Sequence, residues 1–267
     1  MRNYYFLTNL CPPLQLREPP EISFSELKAF FYINLAAQDY ARMRALQFYI
    51  DLYNLRALWL EKPIDDKGFY SKEELEVAMV TGVGLPDYVL DFLQTYDTTE
   101  KRVHAFLSLI ASYFQEEIAR ADSFFVKEYL TFERQSRLIL AGFRSKLERR
   151  DIIEELQFED PLDSSVAFVI AQKDAKEFEA PDGYEELKLI FIKNKSSPLE
   201  LFKDLLEFRF NRIEAMKGDN PFGIDAQLAY MVQLAIVEAW QEVRSGSLLE
   251  EGSKVVDKMI STVKESA

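Results

Sequence analysis

From Ala36 to Glu61 the chain reads AAQDYARMRALQFYIDLYNLRALWLE, with no glycine or proline. Ala41, Ala45, Phe48, Leu52, Leu55 and Trp59 recur at steps of three and four, the period of one face of an α-helix. Pro63 stops the pattern, and Asp65-Asp66-Lys67-Gly68 reads as a loop. A helix this long with polar residues inside its apolar face sets the fold class, because the segments on either side follow the same rule. Upstream, Ser23 and Glu26 have capping-box spacing and open a first helix. Downstream, Ser71 and Glu74 form a second such box, and Gly82 suits a left-handed cap.

Pro86 fits the first turn of a short helix reaching Tyr96. Between Thr99 and Asp151 the only glycine or proline is Gly142. That stretch exceeds an ordinary helix, so the pattern predicts a break near Asp122-Ser123, with helices over Val103 to Ala119 and Phe125 to Arg149. Pro161 and Asp163 mark a junction. Helices are then predicted over Ser165 to Lys176, Tyr184 to Lys193, Ser197 to Lys217, Gly223 to Val243 and Leu249 to Val263. Ser197-Pro198-Leu199-Glu200 places cap, proline and acid in the order a helix start requires. Tyr4 to Leu7 is the one strand candidate, ended by Cys11-Pro12-Pro13. The expectation is an all-α fold of about ten helices. It forms one body over 1–267, with approximate lobes 1–97, 98–160 and 161–267.

Composition narrows the function classes. The 267 residues include 45 acidic and 32 basic side chains, for a net charge of −13, with 48% apolar residues, one Cys and one His. A chain this apolar can bury a core, and one cysteine cannot staple a secreted fold. The acidic balance disfavours nucleic acid. The N-terminus lacks the form of a signal peptide. The most apolar window, Ala226 to Trp240, contains Gln227, Gln233 and Glu238 and is shorter than the roughly 20 residues that span a bilayer. A cytoplasmic protein is expected, a description that also admits a peripheral place on a membrane complex.

No phosphate-cradling glycine loop is present; Gly82-Val83-Gly84 follows a helix and reads as a helix stop. His104 lies within an apolar periodic segment and reads as a core or boundary residue, and Cys11 reads as a buried or half-buried thiol. The paired acids Glu116-Glu117, Glu154-Glu155, Glu185-Glu186 and Glu250-Glu251 point in divergent directions and read as solvated. Neither catalytic residues nor a cofactor or metal site is expected. Arg134, Arg137, Arg144, Lys146, Arg149 and Arg150 form a basic stretch. It reads either as a solvated face neutralised by Glu133, Glu148 and Asp151, or as a contact patch for an acidic partner. Asp51 and Asn54, and separately Glu133, interrupt apolar faces and are expected to join helices by buried hydrogen bonds or ion pairs.

The segment Ile50-Asp51-Leu52-Tyr53-Asn54-Leu55-Arg56-Ala57 resembles the Asp-x-x-Asn-Leu-x-x-Leu motif of the C/d-subunit family of V/A-type (vacuolar/archaeal-type) rotary ATPases. Phe132 to Ala141 is similar to a second copy, with Glu133 and Ser136 at the same three-residue spacing. Gly223 to Met231, continuing to Glu238-Ala239-Trp240, is similar to a third, which contains Tyr230 and ends in an acid. Asn3-Tyr4-Tyr5-Phe6-Leu7 and the Leu10-to-Pro13 turn resemble a bacterial branch of that family. The resemblance implies an all-helical funnel of three related bundles without an active site, metal or cofactor. It implies rotor-ring and central-stalk proteins as partners, on the cytoplasmic side of a membrane complex that couples ion transport to ATP synthesis or hydrolysis. Two other readings stand beside it: an all-α adaptor or scaffold of another complex, and an all-α enzyme.

Overall fold

The computed structural model describes residues 2–245. The helix predicted over Leu249 to Val263 lies outside them. The described residues form thirteen α-helices and no strand. The all-α expectation holds.

The N-terminal segment departs from the sequence reading. Tyr4 to Leu7 is not a strand; α1 spans Tyr5–Leu10. The Tyr4 carbonyl receives the Thr8 N–H at 3.0 Å, Leu7 is buried, and the Tyr5 ring tilts against Phe222 at 4.6 Å. Tertiary contact at Phe222 therefore outweighs the β-preference of Tyr-Tyr-Phe.

Helix α2 (Phe24–Asn34) and helix α4 (Lys72–Thr81) both begin with complete capping boxes, Ser23 with Glu26 and Ser71 with Glu74. Gly82 closes α4 at φ 73°. Between them, α3 (Ala37–Trp59) buries Met43, Leu46, Phe48, Leu52 and Leu55. Helix α5 (Asp87–Thr95) starts after Pro86, which is its N-cap rather than its first residue.

The helix predicted over Val103 to Ala119 is two helices, α6 (Thr99–His104) and α7 (Phe106–Arg120). The Arg102 guanidinium donates to the carbonyls of Tyr96 (2.7 Å) and Leu93 (3.4 Å), which ties α6 to the end of α5. The chain turns at the buried Ala105 so that Phe106, Leu109 and Ile110 enter the core. His104 ends α6 on the surface rather than in the core.

Helix α8 (Phe124–Glu148) is the axis of the body, packing against α3, α7 and every helix from α9 to α13. Its start at Ser123 matches the predicted break. A four-residue α9 (Ile152–Glu155), absent from the sequence reading, is capped by Asp151. Helix α10 (Ser164–Ile170) stops well before Lys176. The Gln172 side chain exchanges hydrogen bonds with the backbone of Glu179 (2.8 and 3.1 Å), closing a loop that drives Phe178 into the core. Helices α11 (Glu185–Asn194), α12 (Pro198–Met216) and α13 (Ile224–Arg244) complete the described chain. Pro198 occupies the first turn of α12, but the Ser197 side chain makes no cap bond.

The N-terminal segment is joined to the start of α13. The Tyr4 N–H donates to the Phe222 carbonyl (2.7 Å), and Gln227 of α13 donates to the Thr8 hydroxyl (2.9 Å). The buried side chains form one hydrophobic core running from Tyr4 to Val243.

Gly142, inside α8, lies under the Phe178 ring, and a Cβ there would sit 2.6 to 2.9 Å from three ring carbons. Gly142→Ala is expected to destabilise the fold by about 1–3 kcal/mol, as overpacking does, seen as a lower urea midpoint with an unchanged slope.

Candidate functional site: a loop clasped by interior polar groups

Asp51, Asn54 and Gln47 project from α3 at helical spacing and are almost completely buried. All three close on the loop between α3 and α4. Asp51 Oδ2 accepts the Phe69 N–H at 2.9 Å, and Oδ1 accepts the Tyr70 N–H at 3.3 Å. Asn54 pairs with the backbone of Asp65, donating to its carbonyl and accepting its N–H, both at 2.8 Å. Gln47 donates to the Lys67 carbonyl at 2.9 Å. From α2, Lys28 Nζ donates to the carbonyls of Gly68 (2.5 Å) and Phe69 (3.1 Å).

Gly68 permits this close approach. A Cβ at this position would lie 2.3 Å from Asp51 Oδ1 and 2.7 Å from Asn54 Nδ2. The Asp-Asp-Lys-Gly stretch thus supplies the turn together with the space its partners need.

Helix α13 reaches the same loop. Lys67 pairs with Glu238 (3.3 Å) and Glu242 (3.2 Å). Glu238 Oε1 also accepts the Phe24 N–H at 2.6 Å, placing its charge at the N-terminus of α2. One loop therefore joins α2, α3 and α13. Burial pushes the Asp51 carboxyl up to about 7, against the downward pull of the Phe69 and Tyr70 N–H groups, Lys28 and Asn54.

Glu133 lies elsewhere, on α8. Its Oε1 accepts from Arg209 Nε of α12 at 2.8 Å, and Arg209 also donates to the Tyr129 hydroxyl at 3.2 Å. Burial opposes the Arg209 charge, but Glu133 and Tyr129 outweigh it and hold the guanidinium protonated. Glu133 thus joins two helices as expected, whereas Asp51 and Asn54 are buried as expected but fasten α3 to the loop that follows it. Ser136 is buried one turn along α8, and Tyr230 is half-buried on α13. Neither belongs to the loop clasp.

The basic stretch is not a continuous surface patch. Arg134 donates to Glu159 (3.0 Å) and Asp163 (2.9 Å), and Arg137 pairs with the same Glu159. The Arg134 and Arg137 side chains are only 16% and 15% exposed. Arg144 lies along α8, donating to the Leu140 carbonyl at 3.2 Å. Lys146 donates to the Lys173 carbonyl (2.5 Å), and Arg150 pairs with Glu148 and with Glu155 (3.0 Å). Of these basic residues Arg149 alone is fully on the surface, as the left-handed cap of α8. Of the three neutralising acids expected, Glu148 does pair with Arg150, whereas the other two do not serve this stretch. Glu159 and Asp163 replace Glu133, which Arg209 occupies, while Asp151 caps α9. Spacing alone does not distinguish an inward arginine from an outward one when the opposing acid comes from a loop.

Sequence reasoning missed Gln47, Lys28, Lys67, Glu159 and Arg209. Gln47 lies one turn before Asp51 and shares its face, a signal that could have found it. The other four meet their partners only through the tertiary fold.

Asp51, Glu133, Glu159 and Glu238 are each aimed at backbone N–H groups or cations of the chain itself. Cys11 is half-buried, and burial pushes its thiol up to about 12. Among the described residues, no group of three or more His, Cys, Asp and Glu side chains could hold a metal ion, and no helix is long and apolar enough to cross a membrane.

Fold and site thus define an all-helical protein whose interior polar residues fasten one segment to another. The chain belongs to the family described as "Protein of unknown function (DUF2764)", which matches residues 1–267. It is 30% identical to an uncharacterized protein of Chlamydia muridarum over 95% of this chain and 100% of that one. It is 28% identical to uncharacterized proteins of Chlamydia trachomatis serovar D (94% and 99% covered) and Chlamydia pneumoniae (91% and 96% covered). No solved structure matches.

The Asp51 carboxyl gives the clasp a pH dependence. Its folded value lies above the roughly 3.9 of an unfolded aspartate. Its stabilising contribution is complete below that unfolded value and is lost as pH rises through about 7. Asp51→Asn cannot titrate. Urea unfolding of both proteins at a series of pH values is expected to show the natural chain losing stability relative to the variant from about pH 4 to 7, with a constant difference above.

Proposed function

We propose that this chain is the non-catalytic coupling component of a V/A-type rotary ATPase or ATP synthase. In this role it lies peripherally on the cytoplasmic side of the membrane. It joins the central shaft to the rotor ring, so that ion transport is linked to ATP synthesis or hydrolysis.

One observation carries the reading. The acids of the three motif-like segments each lie on one of the three longest described helices, α3, α8 and α13, of 23, 25 and 21 residues. Each acid fastens its helix to another segment. Asp51 holds the N–H groups of Phe69 and Tyr70, Glu133 holds Arg209, and Glu238 holds the Phe24 N–H and Lys67. A part that transmits torque needs a body that does not shear. Interior hydrogen bonds that tie long helices to neighbouring segments resist sliding, because movement would leave buried polar groups unpaired. Polar groups spent on fastening suit a mechanical part better than an enzyme.

Affinity purification of the tagged full chain from its native host tests the proposal. Recovery of the rotor-ring and central-stalk proteins in stoichiometric amounts is the expected result. Recovery of an unrelated assembly without ATPase components would replace this reading with that of a helical adaptor.

A further inference from the structure

Helix α4 buries Leu75 and Ala78 and turns Val77 and Val80 outward, with Val83 exposed just beyond its end. These valines are 61%, 88% and 75% exposed. Val77, Ala78, Thr81 and Val83 line a shallow groove with Tyr70, and Glu73 and Glu74 form its rim. A row of half-buried aromatics, packed on their inner side against the core, leads from this face to an exposed end. Tyr70 packs on Phe69 (5.0 Å), Phe69 on Tyr40 (5.7 Å), and Tyr40 on Tyr32 (5.8 Å). Tyr32 and its neighbour Ile33 are 72% and 77% exposed at the far end of the row. Isolated exposed apolar residues are ordinary, but a connected strip with a charged border marks an interaction surface.

The border is acidic. Glu73, Glu74 and Glu76 all lie on α4, with one Glu74 oxygen taken by the Ser71 N–H of the capping box (2.8 Å) and the other carboxylates at the surface. The cations beside this face are turned inward. Arg44 donates to the Tyr70 hydroxyl (2.6 Å) and to the Gly84 carbonyl, and lies over the Phe69 and Tyr70 rings. Lys28 is spent on the Gly68 and Phe69 carbonyls. Lys72 stands at the edge, 3.8 Å from Glu76.

We infer that the α4 face, from Ile33 through Tyr70 to Val83, docks a cationic amphipathic helix of a partner protein. The apolar stripe of that helix covers Val77, Val80 and Val83, and its lysines or arginines meet Glu73, Glu74 and Glu76. Recognition is of the helix-in-groove kind, in which apolar anchors at helical spacing give affinity and flanking charge gives orientation. The inference stands apart from the coupling role, since it rests on the charge and exposure of α4.

Hydrogen exchange of the full chain with two synthetic helical peptides tests it. Both peptides carry the same Leu/Val stripe, one flanked by lysines and the other by glutamates. The lysine peptide is expected to slow exchange across residues 72–83 and the glutamate peptide to leave it unchanged. Val80→Asp should weaken binding of the lysine peptide by about tenfold, the ratio that 1.4 kcal/mol gives. The double variant Glu73→Lys, Glu76→Lys should shift the preference to the glutamate peptide. Equal binding of both peptides, or protection elsewhere on the chain, would overturn the inference. So would an intramolecular cross-link from Lys72 to a lysine in residues 246–267, which would assign the face to the chain's own end. A dimer abolished by Val80→Asp would also overturn it, by assigning the face to a second copy.

Discussion

A carboxylate taken out of water must find donors, or it costs several kilocalories per mole. That constraint organises this protein. Asp51, on the longest apolar helix face of the N-terminal half, is fully shielded from solvent, so a neighbouring segment must bring N–H groups to it. The segment is the loop from Asp65 to Tyr70, and holding it there has consequences on every side. Gly68 leaves room for the carboxylate, Asn54 and Gln47 take up the remaining loop backbone, and Lys28 draws in α2. Lys67 is thereby delivered to Glu238 and Glu242, so α13 is fixed relative to α3 through a loop rather than by direct packing alone. The same requirement recurs on α8, where Glu133 takes Arg209 and the buried Glu159 takes both Arg134 and Arg137.

Much of this frame was legible in the sequence. The capping boxes at Ser23 and Ser71, the glycine cap at Gly82 and the apolar period of α3 are local signals, and local physics decides them. The interior polar roles of Asp51, Asn54 and Glu133 were legible for the same reason: a charged residue inside an apolar helix face has few places to go. Where distant groups decide, reading failed. Tyr4 to Leu7 has strand-forming residues, yet the turn before α13 makes it a helix. The Val103-to-Ala119 pattern is unbroken in sequence, but Arg102 reaches back to α5 and turns the chain. The basic stretch on α8 has the spacing of a surface face, and only the arrival of Glu159 and Asp163 from the following loop draws Arg134 and Arg137 inward.

The division of labour between interior and surface follows. Inside, Asp51, Glu133, Glu159 and Glu238 all have partners within the chain. Outside, α4 follows the clasped loop, buries Leu75 and Ala78, and so turns Val77 and Val80 to the surface.

Native-state hydrogen exchange at the Phe69 and Tyr70 amides tests the fastening claim most directly. In the natural chain these amides should exchange as slowly as those of the α3 interior, because release requires unpairing a buried carboxylate. In Asp51→Ala they should exchange by local opening while the α8 amides keep their protection. If Phe69 and Tyr70 exchange in the natural chain as fast as an exposed loop, the clasp is not what holds the helices together and the account fails.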